Sequence, residues 1–348
     1  VTARFVLPPA SAATEPPEAR GAARDQVRLL VARPSGVTHG RFADLPDVLQ
    51  PGDLVVVNTS ATVPAALAGT LPGGDPVGVH VAGPDDVRDG AAGAWVVELR
   101  RVDGSGPDRS GRPGLPVALP GGVLLTLRAA HPAPTAGRSR LWRAAVEPAV
   151  PLLPYLREHG RPVAYSYLAR PRSLADYQTV YATEPGSAEM ASAGRPFTTE
   201  LLVRLMARGV AVAPIVLHAG LSSPELFEPP SPERFAVGEG TARLVTGARA
   251  AGHRVVAVGT TVVRALETAT GEDGVTRPAR GWTRLVLGDD RPARAVTGLV
   301  TGLHAPEASH LHLLDAVAGP ALVDASYAAA VAGRYRWHEF GDSMVFLP

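Results

Sequence analysis

Cysteine and lysine are both missing from this chain of 348 residues, and aromatic side chains make up only 5% of it. Without cysteine there is no disulfide, no thiolate nucleophile and no thiolate-bound metal, although nothing follows about compartment. The lack of lysine excludes Schiff-base chemistry and makes every fixed side-chain cation a guanidinium. Neither sign of charge is in excess, since 34 basic and 33 acidic residues leave a formal charge of +1. No apolar run approaches the roughly 18 residues of a membrane span, and no basic start leads into a short apolar stretch. A soluble, cytoplasmic protein with no membrane partner is therefore expected. What the chain does have is 45% hydrophobic residues, ample for the core of one large or two ordinary domains.

The segment Gly252 to Glu267 reads as strand, turn and helix. Val255 to Val258 is a short β-branched apolar run, as expected of a strand buried on both faces. Gly259 permits a sharp exit, and Thr260 or Thr261 is placed to cap a helix carrying Val262, Val263 and Leu266. Free backbone N–H groups and two hydroxyls would then face whatever lies above the strand, an anion seat. The bland alternative is an ordinary strand-turn-helix unit in which Arg264 and Glu267 pair on the helix surface.

Similar units surround it. Val27 to Val31 and Leu54 to Val57 read as strands, with a turn at Pro34-Ser35-Gly36 and a short helix, capped by Asp44, between them. Arg4 to Pro8 is a short apolar entry, and the Pro-rich stretch after it has no period. From residue 68 to 150 glycine and proline become dense, and short alternating runs at Val77 to Val81, Trp95 to Leu99, Val123 to Leu127 and Leu141 to Val146 predict antiparallel strands. The expected organisation is an α/β (α+β) main domain, 1–67 and 151–348, interrupted by a small antiparallel β-barrel domain over 68–150. Between Arg100 and Arg143 eight arginines (100, 101, 109, 112, 128, 138, 140, 143) face two aspartates, a local charge of +6. Such a cluster would track a phosphate backbone or form a solvated loop face. Beyond the insert, Leu152 to Leu156 has helical spacing, Glu184 to Gly194 suits a loop closing over a ligand, and Thr198 caps a helix ending at Gly209. Val210 to Leu217 and Ala295 to Thr301 complete the buried strands.

Open α/β sheets carry their chemistry at the carboxyl ends of strands. Those ends offer Asn58 and Thr59, His218, Thr260 and Thr261, and His304. His310 and His312 sit two apart and would diverge on a helix, without HExxH-type spacing, so no metal site is expected. The signatures of nucleotide hydrolysis, Rossmann redox chemistry and hydrolase triads are absent.

Five segments together resemble one family: Asp53 to Asn58; Tyr177-Gln178-Thr179-Val180-Tyr181 with Pro185-Gly186; Ala193-Gly194 before Phe197; Val258 to Glu267; and Tyr335-Arg336 with Phe340-Gly341-Asp342-Ser343-Met344. The chain resembles, over nearly its whole length, the S-adenosylmethionine:tRNA ribosyltransferase-isomerases, the QueA family of queuosine biosynthesis. The resemblance implies a ribosyl transfer from S-adenosylmethionine to an aminomethyl-deazaguanine in tRNA, with release of adenine and methionine and no metal. It makes His304 and His218 the acid or base candidates. By the same resemblance Gly259, Thr260, Thr261 and Arg264 would hold a polar part of the donor. Asn58, Thr59, Tyr177, Gln178, Ser192, Gly194, Arg195 and Asp342 would complete the binding set, with tRNA meeting the arginine-rich insert.

The chain also departs from the family pattern. Thr59-Ser60-Ala61 and Pro64-Ala65-Ala66 stand where two arginines are usual, Pro196 where a histidine is, and Ser222-Ser223-Pro224 where Gly-Thr-Phe is. Each lost charge-assisted hydrogen bond is worth roughly 1.5–3 kcal/mol. Three readings follow: the family reaction with Arg195 filling in, a paralogue using S-adenosylmethionine or a related nucleoside with a small-molecule acceptor, and a non-catalytic binding protein.

Overall fold

The computed structural model describes residues 5–8, 11–85, 93–131, 140–222, 230–288, 291–306 and 308–348. Of the positions singled out above, Arg4, Arg138, Ser223 and Pro224 lie outside the described residues. Regular structure begins with the hairpin of β1 (Arg28–Arg33) and β2 (Gly36–Arg41), followed by α1 (Leu45–Val48), β3 (Leu54–Asn58) and the short β4 (Ser60–Thr62). Six strands come next: β5 (Ala66–Thr70), β6 (Pro76–Pro84), β7 (Ala94–Arg100), β8 (Pro116–Leu119), β9 (Val123–His131) and β10 (Leu141–Glu147). Then follow α2 (Leu152–His159), β11 (Glu184–Ser187), α3 (Thr199–Ala207), β12 (Ala211–Leu217), β13 (Glu233–Val237), α4 (Glu239–Ala250) and β14 (Val255–Val258). The chain closes with α5 (Thr260–Ala269), β15 (Ala279–Thr283), β16 (Gly298–Gly302), α6 (His310–Ala318), α7 (Pro320–Ala332) and β17 (Ser343–Phe346).

The apolar runs become the middle of a nine-stranded sheet ordered β15-β13-β12-β3-β14-β16-β17-β1-β2. Every residue of β3 and β14 is buried, because both faces of the sheet are covered. Side chains alternate across a strand. Leu54, Val56, Val255 and Ala257 therefore pack under α4 to α7 with Val245, Leu266, Leu314 and Tyr327. Val55, Val57, Val256 and Val258 meet α1 and α3 through Leu45, Leu201 and Leu205 on the other face. Each such side chain contributes about 1.5–3 kcal/mol by leaving water, so these strands anchor the fold. Neighbours β12, β3, β14 and β16 all run parallel, which brings their carboxyl ends to one edge.

The inserted strands close into a barrel ordered β10-β7-β6-β5-β8-β9, filled by inward residues such as Val79, Val97, Leu99, Leu125 and Leu127. Closure leaves no unpaired edge in this small sheet. The architecture is thus a mixed α/β sheet with an inserted antiparallel barrel, as expected. No single helix among the described residues is long and apolar enough to cross a membrane.

Local differences have local causes. Strands β2, β5 and β8 carry no strong apolar alternation: β2 is largely exposed, β5 reads Ala-Leu-Ala-Gly-Thr, and β8 has four residues. Pairing with neighbours makes them strands. Strand β16 starts at Gly298, later than expected, because Ala295 and Val296 give their N–H groups to Glu267. Thr198 caps α3 as expected, its hydroxyl accepting from Leu201 N at 3.0 Å. Asp44 does not cap α1; it accepts from Arg41 N at 2.8 Å and closes the preceding turn. The N-cap of α5 is Gly259 and not a threonine, at φ +92°, with its N–H bonded to Val300 O at 2.8 Å. That conformation suits glycine, and it pushes both threonines into the first helical turn.

Candidate active site

The shared strand edge and the barrel enclose a cleft of about 850 Å³. Gly259, Thr260 and Thr261 bring the start of α5 to its wall, Arg264 follows one turn later on the same helix, and Ser192 and His304 join them from other elements. The amino end of α5 carries partial positive charge and two hydroxyls, an electrostatic match for an anionic group.

Of the strand-end candidates, Asn58 works inside the sheet. Its amide donates to Leu217 O at 2.8 Å and to Thr261 Oγ1 at 3.3 Å, while Oδ1 accepts from Leu217 N and Ser60 N at 3.0 Å each. The end of β3 is thereby tied to the end of β12. Thr59 donates to Ile215 O at 3.1 Å and serves the same seam.

The two histidines part company. His304 lines the cleft, with Nε2 at 3.0 Å from Thr301 Oγ1, its N–H donating to Tyr327 Oη and its carbonyl accepting from Trp337 Nε1. Its ring stacks flat on His310 at 4.7 Å. Burial, helped by His310 and His338, holds its pKa well below the usual imidazole value, so it is neutral at pH 7. His218 faces an adjoining cavity of about 350 Å³, which shares Gly220, Ser231 and Glu233 with the cleft. Its Nδ1 lies 2.8 Å from Ser60 Oγ, which lies 2.6 Å from Ser187 Oγ. Burial and Arg234 lower the pKa of His218 as well.

With this geometry in hand, comparison with known proteins is decisive. Residues 2–346 match the model of the family described as queuosine biosynthesis protein. The chain belongs to this family. The S-adenosylmethionine:tRNA ribosyltransferase-isomerase of Moorella thermoacetica is 35% identical over 369 residues, covering 99% of this chain and 98% of that protein. The protein of the same name from Symbiobacterium thermophilum is 36% identical with the same coverage. A solved structure, the S-adenosylmethionine tRNA ribosyltransferase of Thermotoga maritima, matches with a TM-score of 0.53 at 26% identity over 99% of both chains.

Several residues of the expected binding set stand outside the cleft. Gln178 clamps Thr62, donating to its carbonyl at 2.8 Å and accepting from its N–H at 3.1 Å. Tyr177 packs on Phe340. Arg195 is spent on Glu18 at 3.1 Å and on Asp176 O at 2.9 Å. Asp342 accepts from Arg28 N and Arg336 N at 2.8 Å each, joining β1 to the chain before β17. A Cβ on Gly194 would sit 2.1 Å from Tyr181 Oη, so only glycine fits there. Arg264 reaches the cleft, yet its guanidinium pairs with Glu233 and bonds Leu285 O, Ser231 O and Thr283 O. It makes no pair with Glu267, whose carboxylate accepts from the N–H groups of Arg294, Ala295 and Val296.

The loop expected over 184–194 is partly regular, since Glu184–Ser187 pairs with β4 and Ser192–Gly194 forms a 3₁₀ turn. Within it Glu189 lines the cleft, and so do Tyr165, Tyr167, His338 and Glu339, none of which was a sequence candidate. Tyr165 donates to Glu189 and Tyr167 to Glu339, partners 24 and 172 residues apart in sequence. Proximity of Glu339 to the Phe340-Gly341-Asp342 run was the one sequence hint.

The insert is less cationic at its surface than its composition suggests. Arg100 and Arg140 both pair with Glu98, and Arg143 pairs with Asp85. Those acids lie before the counted segment, and the barrel brings them back. Arg128, more than half exposed, lies 3.9 Å from Glu147. Among the described residues no group of three or more His, Asp or Glu is arranged to hold a metal ion.

Proposed function

We propose that the protein is an S-adenosylmethionine:tRNA ribosyltransferase-isomerase, moving the ribosyl part of S-adenosylmethionine to an aminomethyl-deazaguanine in tRNA and isomerising it. The observation that carries this reading is the match over both sheet and barrel, 99% of the chain, with relatives bearing that name. A cleft of about 850 Å³ supports it, being within the range that encloses nucleoside-sized ligands.

In this reading the methionine carboxylate lies at the amino end of α5, near Thr260 and Thr261, with Ser192 opposite. Arg264 acts indirectly, fixing Glu233 and the connection after β15. His304, being neutral at pH 7, acts as a hydrogen-bonding partner of the ribose or base. His218 belongs to the adjoining cavity, where the acceptor would enter. Exposed arginines of the barrel, Arg101 and Arg128, meet tRNA phosphates. Neither a small-molecule acceptor nor a purely binding role is favoured by any feature of the site.

The test is incubation of the full chain with S-adenosylmethionine, with and without tRNA carrying the aminomethyl-deazaguanine, following adenine and methionine by mass spectrometry. Release that depends on the tRNA is expected. Donor binding without release under any condition would overturn the reading.

A further inference from the structure

Tyr165 and Tyr167, two positions apart in the connection after α2, stack with ring centroids 6.0 Å apart and each give a hydroxyl proton to a carboxylate on the cleft wall. The two carboxylates are satisfied very differently. Glu189 accepts from Tyr165, from Ser222 N at 3.1 Å and from Ser222 Oγ at 2.6 Å; burial raises its pKa, and these hydrogen bonds and the Arg140 charge partly offset that rise. Glu339 receives the Tyr167 hydroxyl on Oε2, and no guanidinium among the described residues pairs with it. The residue before it, His338, adopts φ +73° and stacks on Tyr167 at 4.3 Å, a left-handed turn that a non-glycine residue adopts only when its surroundings enforce it.

A group that is to accept a proton must be able to keep it. His304 is poor in this respect, because burial disfavours its imidazolium form. Glu339 is the opposite case: burial without a counter-charge disfavours its ionised form and pushes its pKa up to about 7. At neutral pH a large fraction is ionised, and each ionised carboxylate is a stronger base than an exposed one.

Resting on the function proposed above, we infer that Glu339 is the general base of the reaction, taking a proton on Oε1 from the ribose methylene bonded to the sulfonium of S-adenosylmethionine. The C–H bond breaks and an O–H bond forms on Glu339. The electron pair stays on the carbon beside the positive sulfur as an ylide. A carboxylate and a sulfonium thus become a neutral acid and a net-neutral ylide, a loss of charge that a desolvated cleft favours. Tyr167 is a positioning residue that holds Oε2 and leaves Oε1 for the substrate. Tyr165, whose pKa the Glu339 charge helps to raise, and the adjacent His338 are titratable groups beside it, and Glu189 and His304 line the same cleft.

The test uses the full chain with S-adenosylmethionine deuterated at the ribose methylene, reading donor binding by equilibrium dialysis, adenine release with the acceptor tRNA, and loss of deuterium to solvent. Glu339→Gln should bind the donor within about threefold of wild type while adenine release and deuterium loss fall by roughly 10²–10⁴. Tyr167→Phe should keep activity at alkaline pH and move the acid limb of kcat/KM to higher pH, because a hydrogen bond to the ionised carboxylate is lost. Turnover by Glu339→Gln within about threefold of wild type would overturn the assignment, as would His304→Gln abolishing deuterium loss that Glu339→Gln retains. A wild-type protein that releases no adenine overturns the function reading and this assignment with it. Wild-type turnover matched by the variant overturns the assignment alone.

Discussion

Replacing Arg264 by methionine separates a structural guanidinium from a ligand-binding one. Its side chain is 7% exposed and that of Glu233 is 14% exposed. The fork also satisfies Leu285 O at 3.2 Å and Ser231 O at 3.1 Å. Methionine fills much of the volume but leaves Glu233 buried without its cation, which costs about 3–5 kcal/mol for a pair of this kind. The sign with pH follows from Glu233. Burial raises its pKa, and Arg264 and the Gly220 N–H hold it down. Without Arg264 the folded pKa rises further above the unfolded value of about 4.3. An acid whose folded pKa lies above its unfolded one is penalised once pH exceeds the folded value, and the penalty fades as pH falls towards the unfolded value. Urea unfolding at pH 8 and about pH 5 should therefore show the larger deficit at pH 8, and adding Glu233→Gln should restore more than half of it. Stability within about 1 kcal/mol of wild type, combined with lost donor binding, would refute the argument and return Arg264 to the ligand.

Other variants probe single links. Asn58→Ala strips the seam between β3 and β12 of a partner for Leu217 N and O, and should cost about 1–3 kcal/mol in urea unfolding; an unchanged midpoint would show that water replaces the amide. Thr198→Ala removes the cap of α3 and should lower stability by about 1 kcal/mol, seen as a lower Tm with no change in donor affinity. If Arg101 and Arg128 meet tRNA phosphates, alanine at either should reduce the salt slope of tRNA affinity by about 1, with little effect on folding. Arg140→Ala should instead destabilise the barrel, since it removes the shorter 3.0 Å pair of buried Glu98 and leaves the 3.4 Å pair with Arg100; a pure affinity effect there would contradict the observed pairing.

The sequence by itself determined the parallel strands at Leu54 to Val57, Val210 to Leu217 and Val255 to Val258, the Thr198 cap, the interruption by an antiparallel unit and the family. These rest on local rules: strands buried on both faces are continuously apolar, turns need glycine and proline, and caps need a hydroxyl. Tertiary structure alone decided which polar groups share a cleft. Asn58, which matched the family pattern, and Arg195, expected to fill in for lost groups, proved to be satisfied within the fold, while Tyr167 and Glu339, 172 residues apart, met on the cleft wall. The pairing of Arg264 with Glu233 instead of Glu267 has the same origin. A guanidinium or carboxylate looks alike in sequence whether it is spent or free, and only the partners delivered by distant segments, with the burial they impose, decide its charge and its use.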